Sequence, residues 1–203
     1  ALPHVIENIL DVKFVFLMIP TPYNLDQVRF YMDVARKYPN NVRFVFGIAR
    51  SFYLLAHHSA DIYCCPSKWE PFGIVALEAM ASKLPVVATY VGGLQESILH
   101  LEDHPKNGTG ILCPNMDWEA LKHALVSLLT TMKINKMKTL DPTLSVDEVN
   151  EQLELIVHPK LREQVKKDLN FGKKIRENCY KRVDTTFRWD QVSQQLMDIY
   201  MRL

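Results

Sequence analysis

Two glutamates, Glu70 and Glu78, bracket the segment Pro71-Phe72-Gly73-Ile74-Val75, where a strand pattern gives way to a helix pattern. If the residues between them are helical, the two carboxylates stand roughly 10–12 Å apart. That is too far for two acids to share one bond. It does match the length of a nucleoside diphosphate-sugar, with one carboxylate accepting from sugar hydroxyls and the other from ribose hydroxyls. The stretch between them can hold the phosphates. Helix amino ends present unpaired N–H groups and the positive end of the helix dipole. Pro71 suits the first helical position, and Gly73 lets a ligand come close to the backbone. The N–H groups of Gly73, Ile74 and Val75 then face an anion. Taken alone, the same pair also reads as a first-turn acid and a solvated helix residue.

A phosphate cradle of this kind needs a parallel sheet with helices on its faces, because ligands bind at the carboxyl ends of such strands. The sequence supplies one. Residues 12–19 form a near-continuous apolar run, the pattern of a strand buried on both faces. Pro20 and Pro22 end it. Residues 42–46, 62–65, 85–88 and 110–113 read as further strands, each followed by a helical pattern. Between them lie helices at residues 52–58, 71–82 and 94–100, and Asp117 caps a helix carrying Trp118, Leu121, Leu125 and Leu128. The β-α unit thus recurs about five times, which predicts an α/β, Rossmann-like parallel sheet flanked by helices. The last third is helical. Residues 133–159 read as an added helical segment, and residues 188–203 as a terminal amphipathic helix with Trp189, Val192, Leu196, Ile199 and Leu203 on one face.

Composition narrows the class. Nearly half of the 203 residues are apolar, which excludes wholesale disorder. Lys and Arg total 24 against 23 Asp and Glu, so the basic excess expected of a nucleic-acid binder is missing. No apolar run is long enough to predict a membrane span. The cysteines, Cys64, Cys65, Cys113 and Cys179, form no C-x-x-C pair and read as buried free thiols in a reducing compartment. Lys68 could approach a phosphate or be solvated, and Trp69 could face the cleft or cover a strand edge. Gly92-Gly93 reads either as a plain turn or as a place for close approach by sugar or acceptor. His57, His58 and His104 read as partly buried or surface histidines.

Several motifs together point further. Pro66-Ser67, Glu70-Pro71-Phe72-Gly73, Glu78, Pro85-Val86-Val87-Ala88-Thr89, Gly92-Gly93-Leu94 and Gly108-Thr109-Gly110-Ile111-Leu112 resemble the retaining GT-B glycosyltransferases. Glu70-Pro71-Phe72-Gly73 with Gly92-Gly93-Leu94 looks most like glycogen and starch synthases. Phe187-Arg188-Trp189 and its helix resemble that family's carboxy-terminal end. The resemblance implies one half of a GT-B fold, the carboxy-terminal, donor-binding domain. It gives Glu70 the catalytic place, holding the donor sugar, and the amides of Phe72, Gly73, Ile74 and Val75 the distal phosphate. Glu78 takes the ribose, and the loop with Ile48 and Arg50 lies by the base. Gly92 and Gly93 border the donor. The implied reaction transfers glucose from ADP- or UDP-glucose to an α-glucan with retention, by front-face attack assisted by the leaving phosphate. No cofactor and no metal are required. The alternatives are another retaining GT-B enzyme of mannosyl, sucrose or trehalose synthase type, and a non-catalytic nucleotide-binding domain.

Two family features have no counterpart. The acceptor-binding amino-terminal domain is not in this sequence, and no Arg and Lys pair of the kind that neutralises the leaving diphosphate precedes Val12. Pro20-Thr21-Pro22 replaces the usual glycine-rich turn after the first strand. The expectation is a piece of a longer cytoplasmic enzyme (plastidial if from a plant or alga), inactive alone, that meets its glycan acceptor through the other domain.

Overall fold

The structure is a computed structural model that describes residues 1–18 and 25–202, apart from the side chains of residues 25 and 27. The expectations for Ile19, Pro20-Thr21-Pro22 and Leu203 lie outside the described residues. The chain divides into two compact units, Ala1–Ser59 and Ala60–Leu203.

In the first unit, α1 (Leu2–Asn8) precedes β1 (Phe14–Met18), α2 (Leu25–Lys37), β2 (Val42–Phe46) and α3 (Arg50–Ser59). The two strands run parallel, Phe14 opposite Val42 and Met18 opposite Phe46. Asn41 sets their start. Its side-chain amide donates to the carbonyls of Leu10 and Val12, both at 2.9 Å. Phe16 stacks on Phe44 at 4.7 Å, and Tyr31 of α2 stacks on Phe44 in turn. This corrects the expectation of a first strand buried on both faces. Val12 and Val42 are buried, but Val15 is 55% exposed and Val45 38%. Alternation puts these two valines on the face away from Tyr31, so an apolar run alone did not fix burial.

The second unit carries β3 (Tyr63–Cys65), α4 (Ile74–Ala81), β4 (Val86–Thr89), α5 (Leu94–Ser97), β5 (Gly110–Cys113) and α6 (Trp118–Leu140). The order is β3-β4-β5, all parallel, with Tyr63, Val86 and Gly110 in register. Every residue of the central strand β4 is buried. Around it pack Ala76, Leu77, Ala79 and Met80 of α4 and Leu125 and Leu128 of α6. A short 3-10 turn and α7 (Asn150–Glu154) then lead through α8 (Pro159–Lys167) and α9 (Phe171–Thr186) to α10 (Trp189–Tyr200). Helix α9 packs on α4 and α6 and buries Phe171, Ile175 and Cys179. Residues 133–140 continue α6 without a break. No residue of α10 is buried.

One predicted helix is shorter than its sequence suggests. Residues 94–100 carry a helical pattern, yet α5 ends at Ser97, and Ile98 is extended with ψ 123°. The chain then runs along β5: Thr109 N–H donates to the Leu99 carbonyl at 2.8 Å, and Leu101 N–H to Gly110 at 2.9 Å. An otherwise open strand edge needs those partners, and Ile98 and Leu101 are buried in providing them.

Candidate functional site

The loop from Pro66 to Gly73 leaves β3 at its carboxyl end and is tied down from two neighbouring loops and a strand end. Thr89, the last residue of β4, donates its hydroxyl to the Ser67 carbonyl. Asn115, just past β5, donates its side-chain amide to the Lys68 carbonyl at 2.9 Å. Gly93 N–H donates to the Glu70 carbonyl at 3.1 Å. Glu70, Gly73 and the start of α4 are therefore held over the strand ends, where a doubly wound sheet binds its ligands. Thr89 and Asn115 hold this loop without having been singled out for it. The visible signal for each is a polar residue placed where a strand of apolar residues stops.

The two adjacent glycines have a sharper role than a turn. A Cβ on Gly92 (φ +44°) would stand 1.9 Å from the Glu70 carbonyl oxygen. One on Gly93 would stand 2.5 Å from both Cα and carbonyl oxygen of Phe72. The close approach these glycines permit is thus by the protein's own backbone, at the two residues that frame the site. What Gly92 and Gly93 do directly is seat the loop that carries Glu70.

The turn itself differs from expectation. Pro71 is not the first helical residue: α4 begins at Ile74, with Gly73 as its N-cap in the left-handed region at φ +87°. A helix cannot run through that conformation, so Glu70 and Glu78 are joined partly by loop, and a separation based on continuous helix does not apply. The Glu70 carboxylate folds back and accepts from the Gly73 N–H at 3.2 Å. One of the predicted phosphate donors, the Gly73 N–H, is thereby engaged. Ile74 and Val75 follow it in the first turn of α4, whose N-cap glycine offers no side chain to their N–H groups and whose first turn holds no acid. Phe72, Ile74 and Val75 are exposed, and Glu70 and Glu78 are half-buried. Lys68 and Trp69 are exposed. Glu70, Phe72, Gly73, Ile74, Val75, Glu78, Gly92 and Gly93 all belong to the second unit, whereas Ile48, between β2 and α3, and Arg50, the first residue of α3, belong to the first.

Beside the loop lies a cleft of about 410 Å³, lined by Tyr90, His100, Leu112, Cys113, Pro114 and Asn115. His100 Nδ1 accepts from the Leu112 N–H at 3.2 Å. Burial holds this imidazole below its ordinary value, against an opposing pull from Asp103 and Glu102. Glu102 is occupied: its carboxylate accepts from the N–H groups of Lys160 and Leu161 at the start of α8. In the first unit His57 is buried against the Tyr53 ring, at 4.3 Å between centroids.

Residues 27–139, more than half of the chain, match the family Glycosyl transferases group 1. The chain belongs to that family. It is 33% identical over 105 residues to a probable glycogen synthase of Methanocaldococcus jannaschii, a match covering 52% of this chain and 19% of that protein. Its fold is similar to that of the catalytic domain of starch synthase IV from Arabidopsis thaliana, bound to ADP and acarbose (TM-score 0.63, 19% identity, 99% of this chain and 34% of that one). It is similar also to the C-terminal domain of a group 1 glycosyl transferase from Francisella tularensis (TM-score 0.55, 24% identity, 91% and 74%). The α/β fold predicted from the sequence is therefore the one found, parallel strands flanked by helices with added carboxy-terminal helices, as in the carboxy-terminal half of GT-B. The aligned stretch spans about a fifth of the curated relative's length. Among the described residues no helix is long and apolar enough to cross a membrane.

Proposed function

We propose that this chain is the nucleotide-sugar-binding half of a retaining hexosyltransferase, and that the longer enzyme moves glucose from ADP- or UDP-glucose to an α-glucan. One observation carries this reading. The first turn of α4, with Ile74 and Val75 exposed, has a glycine N-cap with no side chain of its own, and sits over the strand ends with Glu70 before it and Glu78 within it. A diphosphate arriving there meets the N–H groups of Ile74 and Val75 and the positive end of the helix dipole. The Gly73 N–H joins them when the Glu70 carboxylate lets go of it. That exchange gives Glu70 two states: holding the empty turn closed, and accepting from the hydroxyls of the donor sugar once phosphate has replaced it. Glu78 accepts from the ribose. Fixed amides at the leaving diphosphate stabilise charge as the glycosidic bond breaks, and a phosphate oxygen takes the proton of the incoming hydroxyl on the same face. Residues 1–203 are read as a single functional half in which residues 133–159 are a helical addition, the acceptor being held by a separate half.

The test is a calorimetric titration of the chain with UDP and with ADP. Binding of one or both is expected, and Glu78→Ala should weaken it by about 1–3 kcal/mol, the cost of losing hydrogen bonds to a charged acceptor. If neither nucleotide binds at millimolar concentration, the nucleotide-site reading is wrong. A panel of glucose and mannose nucleotides then separates the glucan-synthase reading from a mannosyl, sucrose or trehalose synthase type.

A further inference from the structure

The phosphate turn has a support that comes from the far end of the sequence. The Phe72 ring meets the Phe187 ring edge-on, 6.2 Å between centroids and 78° between planes. Phe187 stands at the break between two helices. It closes α9, its N–H donating to the Val183 carbonyl at 2.9 Å, and precedes α10. Its ring is held in turn by Arg182, whose guanidinium lies 5.1 Å from the ring centroid. The same guanidinium donates to the Glu96 carbonyl at 2.7 Å and the Ser97 carbonyl at 3.4 Å, at the end of α5. Helix α5 opens with Leu94, whose Cδ2 lies 2.7 Å from where a Cβ on Gly73 would stand. Arg188, next along, is clamped by Asp184 and Asp190 at 3.2 and 2.9 Å.

We propose that Phe187 is a positioning residue for the diphosphate, acting through Phe72, a role that rests on the nucleotide-site reading above. Two restraints meet on Phe72. Gly93 presses on its backbone, leaving no room even for a methyl group, and Phe187 fixes its side chain. Together they set the direction of the peptide between residues 72 and 73, and so the aim of the amides that open α4. Without the Phe187 ring, the Phe72 side chain loses its restraint, and once the Glu70 carboxylate has released the Gly73 N–H only Gly93 holds the main chain. The peptide between residues 72 and 73 can then tilt with the Phe72 main chain and turn the Gly73 N–H off the line to the phosphate.

Titration of the full chain with UDP and with uridine, followed by backbone amide NMR, tests this. An edge-on aromatic pair contributes enough that Phe187→Leu should weaken UDP binding roughly three- to tenfold. Uridine, which has no phosphate, should change by less than about twofold, and the Gly73 and Ile74 amide signals should shift in the free protein. Phe187→Tyr keeps the ring edge and should restore the wild-type UDP affinity. Trp189→Ala, on the exposed start of α10, serves as the control and should leave UDP binding unchanged. Wild-type affinity for UDP in Phe187→Leu overturns the proposal while leaving the nucleotide site intact. Equal loss for UDP and uridine, or no rescue by Tyr, also overturns it, since Phe187 would then serve general folding alone. A wild-type chain that binds neither ligand refutes the site reading itself.

Discussion

Gly92 and Gly93 lie where the turn after β4 comes backbone to backbone against the loop of Glu70. An alanine at 93 would put a methyl group into the Phe72 main chain, and backbone cannot rotate away as a side-chain tip can. Gly93→Ala is expected to cost roughly 1–3 kcal/mol by overpacking, read as a lower urea midpoint, and to abolish nucleotide binding. A fall in stability with nucleotide affinity untouched would separate these glycines from the site. The sequence shows that these two positions lack side chains. It does not show what fills the space, because Glu70 and Phe72 arrive there from more than twenty residues away. Glu70 and Glu78, by contrast, are candidates on local features alone: their spacing, and the glycine and proline between them.

Helix boundaries divide along the same line. Asp117 was legible as a cap, and its carboxylate accepts from the N–H groups of Glu119 at 3.0 Å and Ala120 at 2.9 Å. The whole interaction fits inside four residues of sequence. Asp117→Ala should therefore lower stability by about 1 kcal/mol, measured by urea denaturation, with α6 frayed at its first turn. The ends of α4 and α5 were not legible. Pro71 is acceptable at a helix start, but the left-handed Gly73 three residues before Ala76 moves that start to Ile74. Residues 98–100 have a helical pattern, yet the edge of β5 claims their backbone. In both cases a constraint from outside the segment overrides local propensity.

For the molecule as a whole, the balance of charge is near neutral, so pH acts through particular groups. Burial lowers the pKa of His100 and of His158 below the ordinary value near 6.5. Asp103 and Glu102 oppose the shift at His100, and His104 adds to it. At His158, Glu102 opposes while His100 and His123 add. In the window between the folded value and about 6.5 the unfolded chain binds more protons than the folded one. The stability these histidines contribute is present above about pH 6.5 and is lost as pH falls through that window, levelling off below the folded values. Geometry gives the same sign, since a protonated His100 Nδ1 can no longer accept from Leu112. The urea midpoint should be lower at about pH 5.5 than at about pH 7.5. His100→Asn, which keeps an acceptor for the Leu112 N–H, should narrow that difference.

By itself the sequence determined the class of the fold, the order of its strands and helices, and the family, and it marked two acids as candidates. Each of these is written in residue type and short-range periodicity, where neighbours in sequence are neighbours in space. Only the tertiary structure decided that α4 starts at Ile74, that Glu70 holds the Gly73 amide, and that Gly92 and Gly93 receive the protein's own backbone. It also decided that Phe72 rests on Phe187. These depend on which distant segments are brought within a few ångströms of one another, and packing in three dimensions, not local pattern, sets that.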